Sequence, residues 1–310
     1  MGFSLATSTS LCGYSYHITS PSQKGLIKIA SFGRNQKLTL SFMIPELSRK
    51  AQLRRSLCCK LQGLDFEERT SPAEVKKEIE QCYELIQRLG RGVVYLGSSR
   101  LGPDHPHYTQ SFELGKEIAT LLNCTSWSGA GPGLMDAVTK GALQAGKVVG
   151  GFKIGKEAGE WTATNFHPYL PLDNYLTCRF FSARKHGLVD AAVRATSSDK
   201  TAVVALPGGI GTLDEAFEIL ALIQLQRIGS SLPVPFILMN YDSFYSKLLD
   251  FIEECEGWGT VSTGEVASLW NVCNSNSEAL AYLMEYYGLS PTEEGTNIPC
   301  LRNDSQLLSS

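Results

Sequence analysis

The chain has no apolar run that approaches the ~20 residues a membrane-spanning helix needs, although 43% of its 310 residues are hydrophobic. It has no C-x-x-C pair among its nine cysteines and no Cys/His cluster at zinc spacing. Cys58 and Cys59 are adjacent and poorly placed to serve one site. The thiols therefore read as reduced, mostly small core residues in a reducing compartment, and no metal is expected. Histidine is scarce, at five residues. His105, His107, His167 and His186 do not stand at ligand spacings and read as loop or surface residues. No G-x-S-x-G elbow occurs, and no Ser/His/Asp set can be picked out. Positive charge is missing where a nucleic-acid binder would carry it. Residues 1–60 hold nine Lys/Arg against one acid, Glu46, so the net charge of −3 leaves −11 on the other 250 residues. A nucleic-acid backbone asks for clustered cations on the folded domain.

What is present begins with Leu206-Pro207-Gly208-Gly209-Ile210-Gly211-Thr212-Leu213-Asp214-Glu215. Residues 201–206 before it read as a buried strand. Leu213 to Gln226 after it carries a helical apolar pattern at Leu213, Phe217 and Leu220. Three glycines thus stand between a strand and a helix. Glycine lets backbone approach a ligand closely, and the first N–H groups of a helix lack internal partners. Together they suit a phosphate, with Thr212 and Glu215 at the mouth. The blander alternative is that Thr212-x-x-Glu215 is only a capping box. Three glycines and a proline exceed what a cap needs.

The rest of the chain fits an α/β fold: a Rossmann-like, doubly wound parallel sheet with helices on both faces, in one domain over 71–289. Residues 1–60 contain ten serines, scattered basic residues and little periodicity, the composition of a transit peptide. A plastid is favoured over a mitochondrion or the cytosol, because the first twenty residues carry hydroxyls and no arginine. Residues 61–70 would link this segment to the domain, with cleavage near 55–65. Ser71-Pro72-Ala73-Glu74 opens a helix to Leu89 as a capping box with proline at the first position, and Gly90 ends it. Then come a strand at Gly92–Leu96, a helix from about His107 to Leu122, a strand at Thr125–Trp127, a helix from Leu134 to Ala145 and a strand from Lys147 to Lys153. A helix is expected from about Thr177 to Ala195. After the glycine-turn unit follow a strand from Val234 to Asn240, a helix from Ser243 to Glu256, a strand from Val266 to Val272 and a helix from Ser277 to Tyr287. Residues 290–310 are polar and expected to be disordered.

Two other glycine-rich stretches are weaker. Gly129, Gly131 and Gly133 follow a strand, but the spacing is not G-x-G-x-x-G, so a dinucleotide fingerprint is not met. Gly150 to Lys156 spells G-x-x-x-x-G-K, yet Glu157 stands where a Walker loop needs Ser or Thr; the match is chance. Arg184 and Lys185 are more informative. On a helix, Arg184 shares a face with Phe181, Leu188 and Ala191. A cation on an apolar stripe must be paired or must snorkel. The functional reading is that both cations meet an anionic ligand, Arg184 through its planar fork of donors.

At Pro207–Glu215 the sequence resembles the LONELY GUY family of cytokinin-activating phosphoribohydrolases, often labelled lysine decarboxylases. Its pattern P-G-G-x-G-T-x-x-E is matched at every fixed position, and Arg184-Lys185 matches the family's Arg-Lys pair. Gly129 to Ala142 is similar to the family's G-G-G-x-x-G-L-M segment, with Ala130 in place of one glycine. The resemblance spans about residues 90–288. Arg179-Phe180-Phe181 before the pair is more similar to branches acting as general nucleotide nucleosidases, and Ala221 stands where short plant members have threonine. The resemblance implies hydrolysis of the N-glycosidic bond of a nucleoside 5′-monophosphate to free base and ribose 5-phosphate, by a homodimer, with no organic cofactor. It implies that Glu215 and Arg184 are catalytic. Gly208, Gly209, Ile210, Gly211, Thr212 and Lys185 would bind the substrate and its phosphate. Gly129, Gly131, Gly133 and Met135 would line the same site. A fixed carboxylate beside the anomeric carbon would stabilise oxocarbenium-like charge and orient water. Decarboxylation would need pyridoxal phosphate on a Schiff-base lysine, and nothing in the sequence specifies one. The competing possibility is a carrier of this fold that holds a nucleotide or phosphorylated cofactor without cleaving it.

Overall fold

Short apolar segments alternate with amphipathic helices through the computed structural model, which describes residues 71–154 and 166–289. The expectations for 1–60, 61–70 and 290–310, and the end of the G-x-x-x-x-G-K stretch, lie outside the described residues. Helix α1 (Pro72–Leu89) leads into β1 (Gly92–Leu96), α2 (Pro106–Leu122), β2 (Thr125–Ser128), α3 (Leu134–Gln144) and β3 (Val149–Ile154). A 3₁₀ turn precedes β4 (Tyr175–Cys178), followed by α4 (Phe181–Ala192), β5 (Ala202–Ala205) and α5 (Ile210–Gln224). The chain continues through β6 (Phe236–Met239), α6 (Ser246–Gly257), β7 (Asn271–Cys273) and α7 (Asn276–Tyr287). Among the described residues no helix is long and apolar enough to cross a membrane.

All seven strands are parallel, in the order β4-β3-β2-β1-β5-β6-β7. Parallel strands are covered on both faces and therefore read as unbroken apolar runs. In β1 every residue is buried, and its side chains alternate between two layers. Val94 and Leu96 pack with Trp127, Phe152 and the inner faces of α1, α4 and α5. Val93 and Tyr95 pack with α2, α3 and α7 through Leu114, Ile118, Leu134 and Leu283. Trp127 and Phe152, on neighbouring strands, stack with centroids 5.2 Å apart. The chain winds outward from β1 to β4, then returns to the other side of β1 with β5. That reversal makes the crevice beyond the carboxyl ends of β1 and β5 the natural ligand site of such a sheet.

On one face α2 and α3 approach at glycine. A Cβ on Gly115 would stand 2.6 Å from the Val138 carbonyl oxygen, and one on Gly141 2.0 Å from that of Phe112. Backbone cannot give way as a side chain can. Gly115→Ala is therefore expected to destabilise the domain by about 2–3 kcal/mol through overpacking, read as a lower urea midpoint with an unchanged slope.

Three local expectations need correction. Thr177 and Cys178 belong to edge strand β4 rather than to a helix, and the helix starts only at Phe181. Tyr175–Cys178 pairs in register with Gly151–Ile154, which fixes it as strand. Ser71 makes no side-chain cap, and Glu74 pairs with Arg179 at 2.6 Å instead of closing a capping box, although Pro72 does occupy the first turn and Gly90 the end. Val266–Ser268 is a 3₁₀ turn, so the last strand holds only Asn271–Cys273.

Candidate active site

The loops that leave β1 and β5 are hydrogen-bonded to each other. Leu206 N–H donates to the Leu96 carbonyl at 2.8 Å and Ser98 N–H to that of Pro207 at 3.1 Å. The Ser98 carbonyl accepts from Leu134 N–H at 2.9 Å, where α3 begins. The two glycine turns are thus tied to one strand loop at the switch point of the sheet.

Helix α5 starts inside its glycine turn, three residues before the expected Leu213. Gly209 is the N-cap, with no side-chain cap, and the first backbone bond into the helix runs from Leu213 N–H to the Gly209 carbonyl. Ile210, Gly211 and Thr212 therefore present their amides ahead of the helix. Cβ atoms on Gly209 and Gly211 would meet nothing within 4 Å, and Ile210 is 89% exposed, so this turn is open. Gly208 has a different role: a Cβ there would lie 2.2 Å from Thr212 Oγ1, which folds back over it and is buried.

This boundary removes the capping-box alternative for Glu215, because Thr212 sits at the third helical position and not at the cap. The Glu215 carboxylate is instead buried and paired with the guanidinium of Arg184, itself buried. Arg184 Nε donates to the Phe152 carbonyl at the end of β3, at 2.9 Å. Its guanidinium also lies 5.7 Å from the Phe181 ring centre. The apolar stripe read from sequence thus holds a paired cation, not a snorkelling one. Burial pushes the Glu215 pKa up, and Arg184 only partly offsets this, so the net displacement is upward.

Gly129 explains why the second turn needs glycine. A Cβ there would be 2.0 Å from Arg184 Nη2 and 2.8 Å from Met135 Sδ. Gly129 and Met135 thus form the floor on which Arg184 rests. Gly131 is buried in the same turn. Gly133 caps α3 with φ of 72°, and a Cβ there would stand 2.3 Å from the Ser98 carbonyl oxygen. Ala130, where the family has glycine, keeps the left-handed backbone at φ 48°.

Lys185 points elsewhere. Its Nζ lies 3.1 Å from Asp214 Oδ2 and 2.8 Å from Glu218 Oε2, both on α5. Burial works against its charge, but the bonds it donates to Glu218 and Asp214 outweigh that and hold its pKa above the usual value. In this structure its ammonium is paired with two carboxylates of α5.

His107 is buried within α2, against the expectation of a loop or surface residue, while His167 lies in a loop as expected but is also buried. His107 Nε2 lies 3.0 Å from Asp242 Oδ2. Burial lowers the His167 pKa to about 4, and its Nδ1 accepts from Leu170 N–H at 3.1 Å. His105 accepts the His107 N–H at the start of α2, and His186 packs edge-on against Tyr83. Among the described residues no group of three or more His, Cys, Asp or Glu is arranged to hold a metal.

One cluster beside the site escaped sequence reasoning. Asp136, next to Met135, is buried and accepts from the Tyr108 hydroxyl at 2.5 Å, Tyr169 at 2.6 Å and Lys140 at 2.8 Å. Only the Asp136–Lys140 spacing of four was visible in sequence. Tyr169 arrives from 33 residues away.

A family model described as "Possible lysine decarboxylase" matches residues 135–283. The chain is 30% identical over 197 residues to a rice protein, "Probable cytokinin riboside 5′-monophosphate phosphoribohydrolase LOGL6", covering 60% of this chain and 68% of that one. It is 28% identical over 184 residues to the Arabidopsis thaliana "Cytokinin riboside 5′-monophosphate phosphoribohydrolase LOG4", covering 57% and 74%. A bacterial protein of the same description, from Rhodococcoides fascians, is 31% identical over 152 residues, covering 48% and 69%. Among solved structures, the molybdenum cofactor carrier protein of Chlamydomonas reinhardtii is 18% identical, with 64% of this chain and 99% of that one covered at a TM-score of 0.43.

Proposed function

Because the chain belongs to the LOG family of cytokinin riboside 5′-monophosphate phosphoribohydrolases, we propose that it hydrolyses the N-glycosidic bond of a nucleoside 5′-monophosphate to free base and ribose 5-phosphate. The observation that carries this reading is one buried carboxylate, Glu215, held by Arg184 one turn beyond an open, uncapped helix start.

The 5′-phosphate docks on the amides of Ile210, Gly211 and Thr212, where the helix field favours an anion. The ribose then lies over the next turn, towards Glu215. As the bond to the base lengthens, positive charge builds on the anomeric carbon and the ring oxygen. The Glu215 carboxylate stabilises that charge and orients the attacking water. The water oxygen bonds to the anomeric carbon, one of its protons is released, and the base leaves with the bonding pair and gains a proton. Arg184 holds the carboxylate in place and favours its ionised form, partly offsetting burial. Lys185, paired with Asp214 and Glu218, balances charge on α5.

The test is a panel of isopentenyladenosine monophosphate, AMP and other nucleoside monophosphates with release of free base as the readout. At least one is expected to be cleaved. Release from none of them, with the fold intact, defeats the proposal. Tight retention of an uncleaved nucleotide would favour the carrier instead.

Two further properties belong to this reading. The protein forms a homodimer, a proposal supported by apolar side chains left in solvent on and near α5 and α6: Phe217, Leu225, Phe251 and Trp258. Sedimentation at micromolar concentration should give twice the mass of the chain. Residues 1–60 direct it to a plastid, a proposal supported by their serine-rich, acid-poor composition; a fluorescent fusion of those residues reports the compartment.

A further inference from the structure

Helix α4 carries Arg184 but does little to fix its own position. Its N-cap, Phe180, offers no side-chain bond, its first turn holds no acid and its last turn no base. Those roles are filled from outside by α1 and by Arg91, two residues past its end. Glu78 on α1 accepts the Arg179 N–H on Oε1 at 2.8 Å and the Phe180 N–H on Oε2 at 2.9 Å. In a capping box a glutamate at the third helical position reaches back to the cap amide. Here that position is Ala183, which cannot, and a carboxylate of another helix makes the bond. Further along, Cys82 lies 3.5 Å from the Ala183 carbonyl oxygen. At the other end Arg91 donates to the carbonyls of Asp190 and Val193. The charges match the helix field: a carboxylate at its positive end and a guanidinium at its negative end.

We propose that Glu78 is a positioning residue of the hydrolysis, setting the start of α4 and through it the approach of Arg184 to Glu215. The inference rests on the proposed function. The link is short: the Phe180 carbonyl, on the residue whose amide Glu78 holds, accepts the Arg184 N–H at 3.2 Å. The slack is small, because a Cβ on Gly187, one turn on, would meet the Phe152 ring at 2.9 Å, and Phe152 also supplies the carbonyl that holds Arg184 Nε.

Glu78→Ala and Glu78→Gln are made in the full chain, and steady-state kinetics are measured beside amide hydrogen exchange without substrate. Glu78→Ala is expected to lower kcat about tenfold with KM within about twofold, the signature of displaced chemistry rather than lost binding. Exchange should quicken at residues 179–186 and stay unchanged in α5. Glu78→Gln, which keeps one oxygen acceptor but turns an NH2 group toward the other N–H, should recover part of the loss. Two results overturn the proposal: kcat holding while residues 179–186 loosen, or kcat, KM and exchange across the whole domain changing together. If the wild-type protein cleaves no monophosphate, the hydrolase reading fails on its own. The exchange arm still reads the grip, and unchanged exchange in Glu78→Ala would sink it whatever the activity.

Discussion

Replacing Glu215 by glutamine is expected to cut kcat by at least about a hundredfold, the scale of a lost acid–base or electrostatic group, with the protein still folded and still binding ribose 5-phosphate. The choice of glutamine follows from burial. Glu215 and Arg184 are both nearly inaccessible and satisfy each other. Alanine at 215 would leave a buried guanidinium with neither its counter-charge nor the hydrogen-bond acceptor that Glu215 supplies, at a cost of about 3–5 kcal/mol, and lost folding would then be mistaken for lost chemistry. Glutamine keeps the shape and one acceptor oxygen, and removes only the charge that the oxocarbenium-like transition state needs. Retained turnover at near wild-type rate would reduce Glu215 to a structural partner of Arg184. The pH profile gives a second check. Burial raises the Glu215 pKa and Arg184 lowers it, with burial winning. If activity needs the ionised form, the acid limb of kcat/KM lies above the pH at which an ordinary glutamate titrates. Removing the cation in Arg184→Gln, which leaves an amide donor beside the carboxylate, takes away a lowering influence, so whatever activity remains should show its acid limb at still higher pH. A limb that stays put or moves down would mean that the titrating group is not Glu215.

The strands that could be read from sequence are those whose signal is local. β1, β5 and β6 are unbroken apolar runs because helices cover both their faces. β4 could not be read, because Tyr175–Cys178 runs within three residues into a helix, and what makes it strand is its pairing with β3. The start of α5 was hidden for a related reason. Gly209 and Gly211 have poor helix propensity, yet the helix begins among them and their backbone faces open space. The site shows the same division. That Arg184 lies on an apolar stripe was visible, and so was the need for it to be paired or to snorkel. Which group pairs with it was not, since Glu215 and the Phe152 carbonyl lie 31 and 32 residues away in the chain. Lys185 looked equivalent to its neighbour. One step around the helix turns it to Asp214 and Glu218, and that difference of about 100° is decided by how α4 packs on α5, not by the pair itself.

Gly129→Ala is expected to lose about as much activity as the charge-removing change at Glu215, for a different reason. The added methyl group would sit 2.0 Å from Arg184 Nη2 and 2.8 Å from Met135 Sδ. A flexible side-chain end would normally move aside at little cost, and Met135 can. Arg184 cannot move freely, because Nε is bound to the Phe152 carbonyl and Nη1 to Glu215. Displacing Nη2 tilts the planar guanidinium as a whole, so the carboxylate it holds must follow or lose its partner. A shift near 1 Å at a positioning group costs about a hundredfold in rate. Stability should suffer less, by about 1–3 kcal/mol as for overpacking, since backbone contacts around Gly129 are not the first to clash. The diagnostic result is therefore a fall in kcat of about two orders of magnitude with a change of only a few degrees in Tm. Serine at the same position should behave as alanine does, because the Cβ and not its polarity is at fault. If Gly129→Ala keeps full activity, Arg184 does not need the place it occupies over this turn. The second glycine turn would then be a tight connection between β2 and α3 and no part of the active site.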